Sequence, residues 1–229
     1  MLPLKDNVPT RRFPLLTVAL IAANFLVWIL YELPNLNRSV ADAGYFPCEV
    51  ANECVAPGTP WGLDVFTSMF MHGSWEHILG NMLFLWIFGN NIEDAMGPLR
   101  FLVFYLLGGL VATASQTFVT LEFGSERAAE IPNVGASGAI AGVLGAYLVL
   151  LPRGRVLTWV LPIFFFEIPA VFFLGIWFLF QLFVGSQSFV APEQGGGVAY
   201  FAHIGGFVFG LLAVRLFTIG RPRPLRPAY

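Results

Sequence analysis

Ser137 and His203 are the two side chains in this chain best suited to nucleophilic chemistry. Ser137 sits in Gly135-Ala136-Ser137-Gly138, at the head of an apolar run that ends near Leu151. His203 sits in Ala202-His203-Ile204-Gly205-Gly206, at the head of another. A histidine beside a serine offers a general base beside a nucleophile. His77 and Asn81 form a second pair, spaced i, i+4 and so on one face of a third apolar run. An imidazole and a carboxamide can donate hydrogen bonds to a developing oxyanion. Each feature alone has a plainer reading. His203 on a glycine-rich helix is then a satisfied polar residue of a bundle, and His77 with Asn81 is a hydrogen-bonded pair joining helices. Their joint occurrence is what points to a site.

The elements that must position these groups are membrane helices. Of 229 residues, 57% are hydrophobic and 11% are charged, and the mean hydropathy is +0.73. A soluble domain carries about 25% charged residues. Six apolar runs can be read, roughly 14–32, 77–94, 100–121, 135–151, 168–184 and 199–217. Each approaches the roughly 17–25 residues that span a bilayer. The expected fold is therefore an all-α, six-helix membrane bundle. Pro162 and Pro169 divide the long run from Val156 to Val184, so 153–167 reads as an interfacial segment. Lys5, Arg11 and Arg12 precede the first run as they would a signal peptide. Ala41-Asp42-Ala43 lies too far beyond that run to be its cleavage site, so the run reads as a retained helix.

Arginine and lysine set the orientation. With the N-terminus inside, ten of the twelve fall in inside segments, and only Arg38 and Arg127 lie outside. This bias predicts both termini on the cytoplasmic side. The chain then divides into a cytoplasmic segment 1–13, a membrane domain 14–219 and a basic cytoplasmic tail 220–229. The tail, Arg221-Pro-Arg-Pro-Leu-Arg226, reads either as a disordered end touching anionic lipid or as a simple topology anchor.

Orientation also gives depth. The second, fourth and sixth runs share a direction, so their N-terminal ends lie at one level near the outer face. His77, Asn81, Ser137 and His203 all fall there, within about two turns at roughly 1.5 Å per residue. Ionisable groups inside spans are costly and mark functional sites, and His77 and His203 are the ones well inside these runs. Small residues at spacing four let membrane helices approach closely. Gly138 and Gly142 offer that on the fourth run, and Ala202, Gly206 and Gly210 on the sixth. His203, Gly206 and Gly210 share one face, which suits a sixth helix packed on the fourth with His203 reaching Ser137.

These residues resemble the rhomboid family of intramembrane serine proteases over nearly the whole chain. The second-run motif is His72-xxxx-His77-xxx-Asn81, the serine motif is Gly135-Ala-Ser137-Gly138, and the last is Ala202-His203 followed by Gly205, Gly206 and Gly210. Glu93-Asp-Ala-Met-Gly97 also fits. The resemblance implies a Ser–His dyad with no acidic third member, Ser137 as nucleophile and His203 as general base. It also implies an oxyanion site formed by the Ser137 backbone N–H, His77 and Asn81, with Gly135, Gly138 and Gly206 in support. Substrates would be transmembrane proteins, cut in or near the bilayer toward its outer side. Two departures stand out. The first outside loop, Pro34 to Pro60, lacks the Trp-Arg pair of some bacterial relatives and holds Cys48 and Cys54. Ala141 occupies the place where some relatives stack an aromatic ring on the base.

The remaining features carry less. Cys48 and Cys54 read as a disulfide or as two free thiols, with zinc least favoured because no histidine is near. The loop Gly185 to Val198, with Gly195-Gly196-Gly197, reads as a movable lid or an ordinary connector. No cofactor or metal is expected, since three scattered histidines without carboxylates make a poor metal site. No basic, aromatic-interleaved patch favours nucleic acid, and no oligomeric state is implied. A non-catalytic client binder would lack the reacting pair. A transporter would show internal repeats around a midplane site. The compact form fits a prokaryotic plasma membrane.

Overall fold

The computed structural model describes residues 1–54, 58, 61–160, 162–190 and 198–225. Six helices dominate it. Helix α1 (Leu15–Val27) continues through a π-helical turn at Trp28–Glu32. Helix α2 starts at Trp75–Phe84, passes through a second π-helical turn at Leu85–Gly89 and ends with Asn90–Met96. Then come α3 (Pro98–Phe123), α4 (Ser137–Leu150), α5 (Ala170–Val190) and α6 (Tyr200–Phe217). Four of these stretches are long and apolar enough to cross a membrane: Leu15–Glu32, Pro98–Phe123, Ala170–Gln187 and Tyr200–Phe217. Ser137–Leu150 is apolar but shorter.

The packing is that of a membrane helical bundle. Helix α4 forms its centre, with every residue from Gly138 to Tyr147 buried, and its main neighbours are α6 and α3. Small residues line the α4–α6 seam. Large apolar side chains such as Phe172, Phe183, Leu212 and Leu216 point outward. With lipid tails as apolar as leucine, close backbone approach and polar contacts hold such helices together.

Glu93 illustrates the polar contacts. It is buried in the last segment of α2 and meets the start of α1, accepting hydrogen bonds from Leu16 N (3.0 Å), Thr17 N (2.7 Å) and Thr17 Oγ1 (2.8 Å). First-turn amides have no intrahelical acceptor, and no side chain caps α1 locally. Asp94 beside it accepts from Arg11 N at 3.0 Å and Arg11 Nη1 at 3.2 Å. Gly97, at φ +81°, then turns the chain into α3.

The all-α expectation needs one correction. Strands β1 (Leu2–Asp6), β2 (Arg155–Val160) and β3 (Phe164–Pro169) form a three-stranded antiparallel sheet in the order β1-β2-β3. Asp6 pairs with Val156 and Val156 with Ile168. The segment read as interfacial is thus a hairpin. In its outer strand Phe164, Phe165 and Phe166 follow one another and are all exposed, so it lacks the alternation that marks a strand. Its other partner lies some 150 residues away, at the N-terminus.

One further boundary moves. Helix α5 runs to Val190, past the expected end at 184, because no proline intervenes before Pro192 and Gly185 packs on Tyr200 of α6. The Gly195–Gly197 stretch lies outside the described residues. The tail is not a free end where it is described. Arg11 Nη2 donates to the Arg223 carbonyl at 2.5 Å, and just before the tail Arg100 Nη1 donates to the Phe217 and Ile219 carbonyls at 3.2 and 2.7 Å. Arg226 lies outside the described residues.

The sheet meets α4 through Asp6. Its Oδ2 accepts from Tyr147 Oη at 2.6 Å and Asn91 Nδ2 at 2.7 Å. Burial pushes its carboxyl up to about 6, against the opposing pull of those hydrogen bonds. A raised folded pKa means that stability is lost as pH climbs from about 4 to about 6. Asp6→Asn keeps an acceptor and removes the buried charge. It is expected to unfold later than wild type at pH 8, by about 1–2 kcal/mol, with the gain vanishing below about pH 4. Thermal unfolding in detergent across that range reads the effect directly.

Candidate active site

Ser137 is the first residue of α4. The turn before it is made by Gly135, at φ +122°, whose amide donates to the Ser68 carbonyl at 2.8 Å. An added Cβ at Gly135 would lie 2.7 Å from His77 Nε2 and 3.6 Å from Asn81 Nδ2. Glycine is thus required twice, by conformation and by space. The same distances show that both α2 groups converge on the backbone two residues before the serine. The first intrahelical bond of α4 is Ile140 N to Ala136 O at 3.0 Å. The amides of the first turn, Ser137 included, are therefore free of helix partners, and the positive end of the helix dipole faces the hydroxyl.

His203 lies in the first turn of α6. Gln116 of α3 supports that turn, its Oε1 accepting from Phe201 N (3.1 Å) and Ala202 N (3.3 Å). The imidazole Nε2 stands 2.8 Å from Ser137 Oγ. Helices α4 and α6 come together closely enough for this because glycines line their seam. A Cβ at Gly206 would strike the Gly138 carbonyl, and one at Gly210 would strike the Gly142 carbonyl. Gly138 in turn leaves room for Ala112 of α3, 2.5 Å from where its Cβ would sit. Ser137, His203, His77 and Asn81, with Gly135, Gly138 and Gly206, thus come together in the structure.

The other ring nitrogen, Nδ1, is 2.9 Å from Oε1 of Gln181, a buried residue of α5. Trp177, one turn earlier, lies 5.9 Å from the imidazole at 39°, and Tyr200 meets it edge-on at 6.4 Å. Groups from α5 and α6 thus surround the base where Ala141, itself fully buried against Gly206, offers no ring. Gln181 escaped the sequence reading. Its signal was present, since it is the one amide or hydroxyl side chain between Ile168 and Val184.

His72 was likewise given no role of its own. It is fully buried, its Nε2 is 3.0 Å from Asn81 Nδ2, and its ring meets His77 edge-on at 5.0 Å. Its backbone amide donates to Glu32 Oε1 at 2.6 Å. Burial, reinforced by His77, pulls its pKa down to about 3. It is therefore neutral near pH 7 and accepts from Asn81, whose amide keeps a second hydrogen to give.

The loop between α1 and α2 braces the serine turn. Tyr45 and Asn133 exchange backbone hydrogen bonds of 3.1 and 2.7 Å, and Tyr45 Oη lies 2.9 Å from Thr117 Oγ1. Cys48 and Cys54 in that loop form a disulfide. Beside Ser137 is a cavity of about 30 Å³, lined in part by Ser68, Gln116, Gly135 and Ala202. One water fits such a space. Among the described residues no cluster of His, Cys, Asp and Glu is placed to hold a metal ion.

Comparison with known proteins agrees with this architecture. The family model described as Rhomboid domain matches residues 58–219. The presenilin-associated rhomboid-like protein, mitochondrial, of Homo sapiens is 29% identical over 198 residues, covering 84% of this chain and 45% of the human protein. The Bos taurus protein of the same name is also 29% identical, covering 84% and 46%. Rhomboid protein 1, mitochondrial, of Saccharomyces cerevisiae is 28% identical, covering 86% and 51%. This chain is a member of the rhomboid family. It spans about half the length of the curated relatives it matches.

Proposed function

We propose that this chain is an intramembrane serine endopeptidase that hydrolyses a peptide bond in or near the transmembrane segment of membrane-protein substrates. The observation that carries the reading is the 2.8 Å contact between Ser137 Oγ and His203 Nε2 at the free N-terminal turn of a buried helix. Serine attacks poorly until a base takes its proton. His203 takes it as Oγ adds to the scissile carbonyl, then returns it to the leaving amine. The Ser137 amide, His77 and Asn81 receive the negative oxygen. A water in the adjoining cavity hydrolyses the acyl-enzyme, with His203 again as base.

Depth supports cleavage within the bilayer. Helix α4 has 14 residues, about 21 Å at the usual rise, against a hydrocarbon core of about 30 Å. If its inner end lies at the cytoplasmic boundary, Ser137 sits several ångströms below the outer one. This frame takes α1 to α6 as six spans within 14–219, with 1–13 and 220–229 cytoplasmic, and rests on the arginine and lysine bias. It opens the site toward the outer side. Assignment to a prokaryotic plasma membrane rests on the sequence alone, since the relatives described above carry mitochondrial names. A substrate would be a single-span protein whose helix unwinds near its outer end, which glycine or proline would ease.

The test is proteolysis in liposomes of a tagged, single-span substrate with a glycine- and alanine-containing segment. The expected result is one cut near the outer end, mapped by mass spectrometry. An intact substrate together with a Ser137 unreactive to a fluorophosphonate would favour a client-binding role. The oxyanion assignment predicts more. His77→Ala and Asn81→Ala should each lower kcat about 100-fold with KM little changed, the usual cost of one such donor. A change confined to KM would remove that assignment.

A further inference from the structure

We propose that Gln181 is the positioning residue that selects the reactive tautomer of His203, in place of both an acidic third member and an aromatic ring on α4. The inference rests on the proposed protease reading for its consequence, though not for its geometry. Gln181 Oε1 is an acceptor without a proton and lies 2.9 Å from His203 Nδ1. The Nδ1 therefore carries the hydrogen, and the Nε2 presents its lone pair to the Ser137 hydroxyl at 2.8 Å. That is the arrangement a general base requires. The opposite tautomer would require the buried Gln181 amide to turn over and present its Nε2–H to Nδ1, and would leave Nε2–H of His203 unable to take a proton.

The surroundings make the choice consequential. Gln181 is 6% exposed, so its amide cannot trade the imidazole for bulk water. Burial of an unpaired polar group costs more than the bond itself contributes. When His203 becomes protonated in the transition state, both ring nitrogens donate, and Oε1 already accepts from Nδ1–H. The same bond thus orients the neutral base and stabilises the imidazolium without rearrangement. Gln181 lies one turn beyond Trp177 on α5, so one helix supplies both the acceptor and the ring beside the base. Among the described residues, the titratable groups facing His203 are His77 from α2, Ser137 from α4 and Tyr200 from α6. The neighbours from α5, Trp177 and Gln181, are neutral.

The test uses the full chain in liposomes with the substrate described above, from pH 5 to pH 9, and nitrogen-15 NMR of histidine-labelled protein in micelles. Gln181→Met keeps the volume and removes the acceptor. It is expected to lower kcat about 10- to 100-fold with KM within about twofold, part of what a general base supplies. Its acid limb should move to lower pH, because the imidazolium loses a stabilising partner. Gln181→Glu restores an acceptor and adds negative charge. It should recover rate relative to Gln181→Met and move the acid limb to higher pH, since the imidazolium is then favoured. In the NMR spectrum the wild type should show His203 protonated at Nδ1, and Gln181→Met a mixture of tautomers.

The inference falls if Gln181→Met cleaves within twofold of wild type, if the acid limbs of the two variants coincide, or if the tautomer does not respond. Should Gln181→Met fold poorly, the Gln181→Glu limb decides alone. A wild type that holds the Nδ1–H tautomer yet neither cleaves nor labels would overturn the protease reading and leave the positioning role standing.

Discussion

Ser137→Ala and His203→Ala are each expected to reduce cleavage about 10⁴-fold or more, and the double variant to be no worse than either single one. Groups that act as one unit are not additive, because removing the nucleophile leaves the base nothing to deprotonate. The structure makes both replacements clean tests of chemistry. Ser137 lies at the first position of α4, and its hydroxyl caps no helix. Alanine there should keep the helix, and α6 is still held to α4 by the glycine seam. His203→Ala frees Gln181, so a small loss of stability is expected for that variant and not for Ser137→Ala. Initial rates in liposomes, with unfolding temperature measured alongside, separate the two effects. Activity above about 1% in His203→Ala would mean that some other group takes the proton, and His77 would be the first to examine.

What the sequence disclosed and what it hid follow from range. Ser137, His203, His77 and Asn81 were legible because each is a polar group in an apolar run, and because direction along the chain places them at one depth. The close approach of α4 and α6 was legible from glycine spacing. The contacts that complete the site were less so. The bond from Gln181 to His203 spans 22 residues and joins the glycine face of α6 to a face of α5 whose rotation no periodicity specifies, since Gln181 is a single polar residue in an apolar stretch. The capping of α1 by Glu93 crosses 76 residues. The sheet is a similar case, for β1 meets β2 only because the N-terminus folds back under the bundle. Local patterns name the groups, and tertiary packing selects their partners.

The glycine seam carries the second large effect. Gly210→Ala is expected to cost about 3 kcal/mol or more in stability and to abolish cleavage beyond what unfolding explains. Its Cβ would fall on the carbonyl of Gly142 and within 2.9 Å of Ala146 N, which are backbone atoms of a helix buried on all sides. A side chain could rotate away, but these atoms move only if α4 and α6 separate. Overpacking of this kind typically costs 1–3 kcal/mol even where side chains can yield, and more where they cannot. Gly206→Ala strikes the Gly138 carbonyl one turn nearer the site, so its separation should act more directly on the Ser137–His203 pair. Parting these helices by even half an ångström stretches a 2.8 Å hydrogen bond toward one that transfers no proton. Gly175→Ala is the control: nothing lies within 4 Å of its Cβ, so it should gain a few tenths of a kcal/mol from helix propensity. If Gly206→Ala and Gly210→Ala unfold and cleave as the control does, then the seam does not set the distance between the serine and its base. The turn at Gly135 and the bond to Gln181 would then have to hold that distance by themselves.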